Sequence, residues 1–203
     1  MDSLPCNVVL LPDDTLASRA IIASQKLASY GTLFTLEPGK FYPHVSLYMV
    51  QLKVADLEQV KETLAALAAK TSTFDLTATN FKQVKGFFDA EYDKTEQLSG
   101  LQAEVVKTLN PLRDGMRQKD RQRMQEATGE ALVNYQRYGW ASIGSLYRPH
   151  LTLTRFTDEE TVPDTPAAIE TFSGVFPKLG LFEMGDNGTC VRLIAEFTLD
   201  RDD

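Results

Sequence analysis

The chain holds two histidines, His44 and His150, and sets them in nearly the same words: FYPHVSLYMV over residues 41–50 and YRPHLTLTRF over residues 147–156. In each copy a proline precedes the histidine, a hydroxyl follows two residues later (Ser46, Thr152), and a leucine follows at three (Leu47, Leu153). Imidazole titrates near neutrality, so a neutral ring and a protonated ring can work as general base and general acid. A hydroxyl two residues on can donate a hydrogen bond to a non-bridging phosphate oxygen, and a nearby arginine can offset the charge that builds there. Such a set suits in-line attack on a phosphodiester and needs no metal. A single histidine on a half-exposed strand is more often a hydrogen-bonded bystander. Two in one frame, and no others in the chain, favour catalysis.

Both runs read as strands, where side chains alternate between faces. Strict alternation puts His44, Ser46 and Tyr48 on one side against Val45, Leu47 and Met49, and His150, Thr152 and Thr154 against Leu151, Leu153 and Arg155. Each strand then buries an aliphatic face and presents imidazole beside hydroxyl. Tyr42, Tyr48 and Tyr147 are candidates to stack on a base or bind phosphate, with core closure an equal alternative. Arg148, at the strand entrance, is the better placed phosphate partner. Arg155 needs a bulge or the end of the strand to reach the cleft.

The rest of the chain must hold these strands together. NVVLLPDD reads as a buried strand, followed by a helix that starts at Asp13/Asp14 and stops at Gly31. ADLEQVKETLAALAAK carries an apolar stripe, Leu57, Val60, Leu64 and Leu67, with Asp56 and Gln59 as a capping pair. Strand-rich runs flank Lys85-Gly86 as a hairpin, and Thr95 to Asn110 reads as a helix stopped by Pro111. A polar stretch, 112–123, leads into a helix ending near Gly139, with Gly129 weakening its middle. The last strand places Val191, Leu193, Ala195, Phe197 and Leu199 on one face. Each half repeats an order of events: histidine strand, connection, a strand opening at Phe74 or Phe172, a turn, a closing strand. The expected fold is α+β, one bilobal domain over 1–203. Its lobes are pseudo-symmetric antiparallel sheets, backed by helices, with cores near 44–93 and 150–200. A helical segment near 95–139 lies between the lobes and a cleft runs between them.

A net charge of -7 argues against salt-driven binding of long nucleic acid. The charge is uneven: residues 113–155 hold eight basic and four acidic side chains, and the remainder holds 13 basic and 24 acidic. That segment fits a small phosphate ligand, although Arg113 to Arg123 alone reads first as a solvated helix face. No apolar run approaches the ~20 residues of a membrane span, and no secretory leader is recognised, so a cytoplasmic protein is expected. Cys6 and Cys190 match no metal or redox spacing and read as small buried side chains. EPGKF lacks the remaining residues of a phosphate-binding loop, and no zinc motif occurs, so neither cofactor nor metal is expected. Nothing indicates the oligomeric state.

HVSL at 44–47 and HLTL at 150–153 resemble the paired His-x-Ser/Thr-x-hydrophobic signature of the 2H phosphoesterase superfamily, which includes RNA 2',3'-cyclic phosphodiesterases and 2'-5' RNA ligase-like proteins. The resemblance implies a central cleft and metal-independent cleavage of a phosphodiester on a nucleotide or RNA end. It implies catalysis by His44, Ser46, His150 and Thr152, with His150 as base and His44 as acid. Segment 112–139 has no place in the usual pattern. The alternatives are a module of the same fold that binds a nucleotide or RNA end without turnover, and a protein-interaction scaffold.

Overall fold

The computed structural model describes residues 2–200. Strand β1 (Ser3–Leu11) is buried on both faces from Cys6 onward, as its Val/Leu run dictates for a central strand. Asp13 caps α1 (Asp14–Lys26) by accepting from the Leu16 amide at 2.8 Å, and Leu16, Ala20 and Ala23 form its buried stripe. A 3-10 turn carries the chain to Gly31, whose φ of 78° releases it into β2 (Thr32–Thr35), a short strand with no clear sequence signal. β3 (Val45–Lys53) follows, then α2 (Leu57–Ala68). Asp56 does not cap α2 through its side chain: it ends a 3-10 turn, Val54–Asp56, that already supplies helical backbone there. β4 (Phe74–Leu76) precedes the hairpin β5 (Ala78–Val84) and β6 (Phe87–Tyr92), whose turn residues Lys85 and Gly86 both have positive φ, as a two-residue hairpin turn demands.

Thr95 caps α3 (Glu96–Leu109), which buries Leu98, Leu101, Val105 and Leu109. The polar stretch becomes α4 (Gln118–Glu126), and Ala127 is extended before α5 (Gly129–Tyr138). Gly129 therefore opens a new helix instead of weakening the middle of one, and Gly139 ends α5 in the left-handed conformation. The chain continues through β7 (His150–Phe156), β8 (Gly174–Phe176), β9 (Lys178–Met184) and β10 (Cys190–Thr198). Strict alternation fails in β10. Two register shifts against β9 leave Leu193 exposed and turn Ile194 towards the core, as bulges on an edge strand do.

The architecture is α+β and antiparallel. Eight strands form one sheet in the order β10-β9-β1-β3-β7-β6-β5, with β2 also on β7, and β4 pairs β8 separately. Two four-stranded halves meet between β3 and β7 at one residue pair, Val45 and Leu151. The halves do not follow the sequence. The hairpin β5–β6, expected with the strand of His44, pairs with β7, while β9 and β10 lie with β1 and β3. The expected cores at 44–93 and 150–200 thus exchange their hairpins. The doubly buried β1 occupies one edge of β3, which leaves β5–β6 to cover β7. Helices α1, α2 and α3 pack against β7, β9–β10 and β3 respectively, around a core that includes Leu47, Tyr48, Leu64 and Leu153. No helix among the described residues is long and apolar enough to cross a membrane.

Candidate active site

The two motif strands share an irregularity. Val8 of β1 faces Tyr48 and Val9 faces Ser46, so Leu47 is an extra residue in β3; Phe88 of β6 faces Thr154 and Asp89 faces Thr152, so Leu153 is an extra residue in β7. Each bulge falls on the leucine three residues after the histidine, and each reverses the facing of the strand residues beyond it. Arg155 is thereby brought to the side of His150 and Thr152, as a bulge was required to do, while Thr154 turns inward and donates to the Phe34 carbonyl. By the same reversal Tyr48 is not beside His44. It is fully buried, and its hydroxyl donates to the carbonyl of Tyr138 at 2.6 Å, with Asn110 Oδ1 nearby at 3.2 Å. Tyr48→Phe should therefore cost about 1 kcal/mol of stability, the worth of a buried hydrogen bond. Denaturant unfolding would show that loss, with KM unchanged if the tyrosine only serves the core.

On the sheet face away from the three helices lies a cavity of about 940 Å³. His44, Ser46, His150 and Thr152 all line it, along with Tyr42, Arg148 and Arg155. Tyr147 does not. It is buried in the core, and burial pushes its phenol well above the ordinary value. Tyr42 packs its ring 4.9 Å from that of Phe182 while still facing the cavity.

The pairing of Val45 with Leu151 places the positions of His44 and Thr152 opposite each other, and those of Ser46 and His150 likewise. The imidazoles are held alike. His44 Nδ1 lies 2.7 Å from the Tyr42 carbonyl oxygen, and His150 Nδ1 lies 2.7 Å from that of Arg148. A carbonyl only accepts, so each Nδ1 carries a proton and each Nε2 is the ring atom free to exchange one. Their surroundings differ. Burial lowers the His44 pKa to about 4, with the charge of His150 pushing the same way and the Tyr42 carbonyl opposing. His150 Nε2 instead lies 4.0 Å from a carboxylate oxygen of Asp89, an ion pair that exists only while the ring is protonated.

The hydroxyls are supported from the adjacent strands by two buried residues that the motif does not contain. Asn7 of β1 donates from Nδ2 to Ser46 Oγ at 2.9 Å, which leaves the Ser46 proton free. Asp89 of β6 accepts from Thr152 Oγ1 at 2.7 Å, which engages the Thr152 proton. The other Asp89 oxygen binds Arg148 Nη2 at 2.6 Å, and Arg148 Nη1 reaches Glu91 at 2.8 Å. Arg148 is thus a cavity residue tied to two carboxylates, not a free phosphate clamp. Arg155 lies over the Phe87 ring at 4.8 Å and bonds Asn187 and Glu159. The sequence signal for Asp89 was a carboxylate inside an apolar strand run, FFDA, where burial of a charge demands a partner. For Asn7 the signal was an amide leading a doubly buried strand.

Both cysteines are buried and free, and burial raises Cys6 to about 12 and Cys190 further, so neither offers a ready thiolate. Among the described residues no three His, Cys, Asp or Glu side chains converge as metal ligands.

A family model described as a protein of unknown function, DUF1045, matches residues 50–180, a span that contains the motif of His150 and begins after that of His44. No curated protein matches the chain by sequence. Among solved structures, Escherichia coli LigT in its apo form aligns over 99% of this chain and 100% of its own, with a TM-score of 0.59 and 13% identity. LigT complexed with 3'-AMP aligns over 98% and 100%, at 0.58 and 14%. TT0787 of Thermus thermophilus aligns over 98% and 100%, at 0.62 and 13%. These neighbours are 2H phosphoesterase superfamily members, and the likeness is one of fold.

Proposed function

We propose, from the premise that this chain belongs to the DUF1045 family and shares the fold of the 2H phosphoesterases, that it is a metal-independent phosphodiesterase. Its substrate is a 2',3'-cyclic phosphate or related phosphodiester of a nucleotide or RNA end. The observation that carries this reading is the matched pair of imidazoles on one cavity, each with Nδ1 fixed by a backbone carbonyl and Nε2 left for proton transfer. The solved complex of LigT with 3'-AMP supports a nucleotide as the class of ligand.

His44 is the base and His150 the acid, the reverse of the order that the family resemblance implied. Burial keeps His44 neutral at neutral pH, so its Nε2 lone pair can accept the proton of the attacking water. The new P–O bond forms as the ring P–O bond breaks. His150 Nε2 gives its proton to the departing ribose oxygen, and Asp89 opposes the imidazolium before that transfer. Ser46, with its proton free, donates to a non-bridging oxygen as charge builds. The observation that favours a binding-only reading is that the Thr152 proton and Arg148 are both engaged by Asp89.

Incubation with a panel of 2',3'-cyclic nucleotides tests the reaction: ring-opened monophosphate is expected, at a rate unaffected by EDTA. Binding of 3'-AMP with no turnover of any member would leave the binding module standing instead. The pH profile tests the roles. A base with a pKa of about 4 is protonated only below that value, so the acidic limb of kcat/KM should lie near pH 4, not near the ~6.5 of an ordinary histidine. A limb near 6.5, with the protein still folded, would overturn the assignment of His44.

A further inference from the structure

One wall of the cavity is not needed by the chemistry above. Arg117 and the α4 residues Lys119, Arg121 and Arg123 all line it, in a protein whose net charge is -7. Packing does not account for this sequence. α4 buries only Asp120, which is held by Arg117 at 2.5 Å and faces Arg123 at 3.7 Å. A helix without an apolar face gains little from the core, so its residues answer to something else. The charges are also in surplus. Asp120 is shared between two guanidinium groups, Lys119 pairs with the exposed Asp186 at 2.9 Å, and Arg121 has no carboxylate partner among the described residues. Burial lowers the Arg117 pKa and raises that of Asp120, so this pair is incompletely compensated by itself. The cavity volume, about 940 Å³, lies near the top of the roughly 300–1,000 Å³ usual for small-molecule sites.

We propose that this wall is a second anion subsite. The substrate then carries, on the same small molecule as the scissile phosphodiester, a further phosphate that rests against Arg121, with Lys119, Arg117 and Arg123 around it. The inference rests on the phosphodiesterase reading for the position of the scissile group. The acidic remainder of the chain repels such a polyanion and these cations attract it, which steers it to this wall.

The test compares adenosine 3',5'-bisphosphate with adenosine 3'-monophosphate by calorimetry, in the wild type and in Arg121→Glu and Lys119→Ala. The wild type should bind the bisphosphate about tenfold more tightly, the scale of one charge-assisted phosphate contact. That ratio should shrink in high salt and fall towards one in Arg121→Glu. Circular dichroism of the variants shows that each is folded. Equal wild-type affinities, or a ratio untouched by both substitutions, would overturn the subsite. Absence of turnover on every cyclic phosphate, with the binding ratio intact, would overturn the enzymatic reading and leave the subsite in place.

Discussion

His44→Ala and His150→Ala should each lower kcat on a 2',3'-cyclic nucleotide by about 10²–10⁴-fold, the range for a positioned general acid or base. The two losses should not multiply. Base and acid act in one concerted displacement, and the double variant should lie close to the worse single one. The substitutions also differ in what they do to stability. Because folding lowers the His44 pKa, the unfolded chain binds the extra proton between the two pKa values. Stability at His44 therefore falls as pH drops from the ordinary histidine range towards about 4. Removing the ring removes that slope, so His44→Ala should lose less stability than the wild type on acidification, measured by urea unfolding at pH 7 and pH 4.5. Full turnover in either alanine variant would end the acid–base account.

Asp89→Ala should be strongly disruptive, although Asp89 lies outside the motifs. Asp89 is fully buried and binds Thr152 at 2.7 Å and Arg148 at 2.6 Å, so its removal orphans a hydroxyl and a guanidinium together. Breaking a buried pair costs about 3–5 kcal/mol. Arg148, 33% exposed, can regain water and keeps Glu91, which puts the expected loss near ~3 kcal/mol. Thermal and urea unfolding would both report it. Asp89→Asn separates structure from positioning: it preserves an acceptor for Thr152 but removes the charge facing His150. A fall in kcat with KM and melting temperature little changed would identify Asp89 as the residue that positions Thr152 and His150. Unaltered kcat in a folded Asp89→Asn protein would restrict it to the scaffold.

Local pattern made the motif strands, the cap at Asp13, the helix beginning near Thr95, the turn at Lys85-Gly86 and the stop at Gly139 readable in advance, because each depends on neighbouring residues alone. Alternation also grouped His44 with Ser46 and His150 with Thr152, since the bulges come after them, while the meeting of the two pairs at one cavity depends on the contact of β3 with β7. The same bulges defeated the count at Tyr48 and Thr154, because an extra residue shows only in the register with a partner strand. Asn7 and Asp89 lay hidden for a similar reason: their roles exist across hydrogen-bonded neighbours 39 and 63 residues away. Strand partners were the least legible feature, as chain order favoured hairpins that the sheet exchanges.

That exchange makes the protein hard to divide. A cut anywhere between α3 and β7 gives an amino-terminal piece that holds β1, β3 and the hairpin β5–β6, and a carboxyl-terminal piece that holds β7, β9 and β10. Neither fragment contains a complete half-sheet, and each keeps a histidine whose strand has lost neighbours to the other. The two pieces can rebuild the centre only by intertwining, each lending strands to the other's histidine.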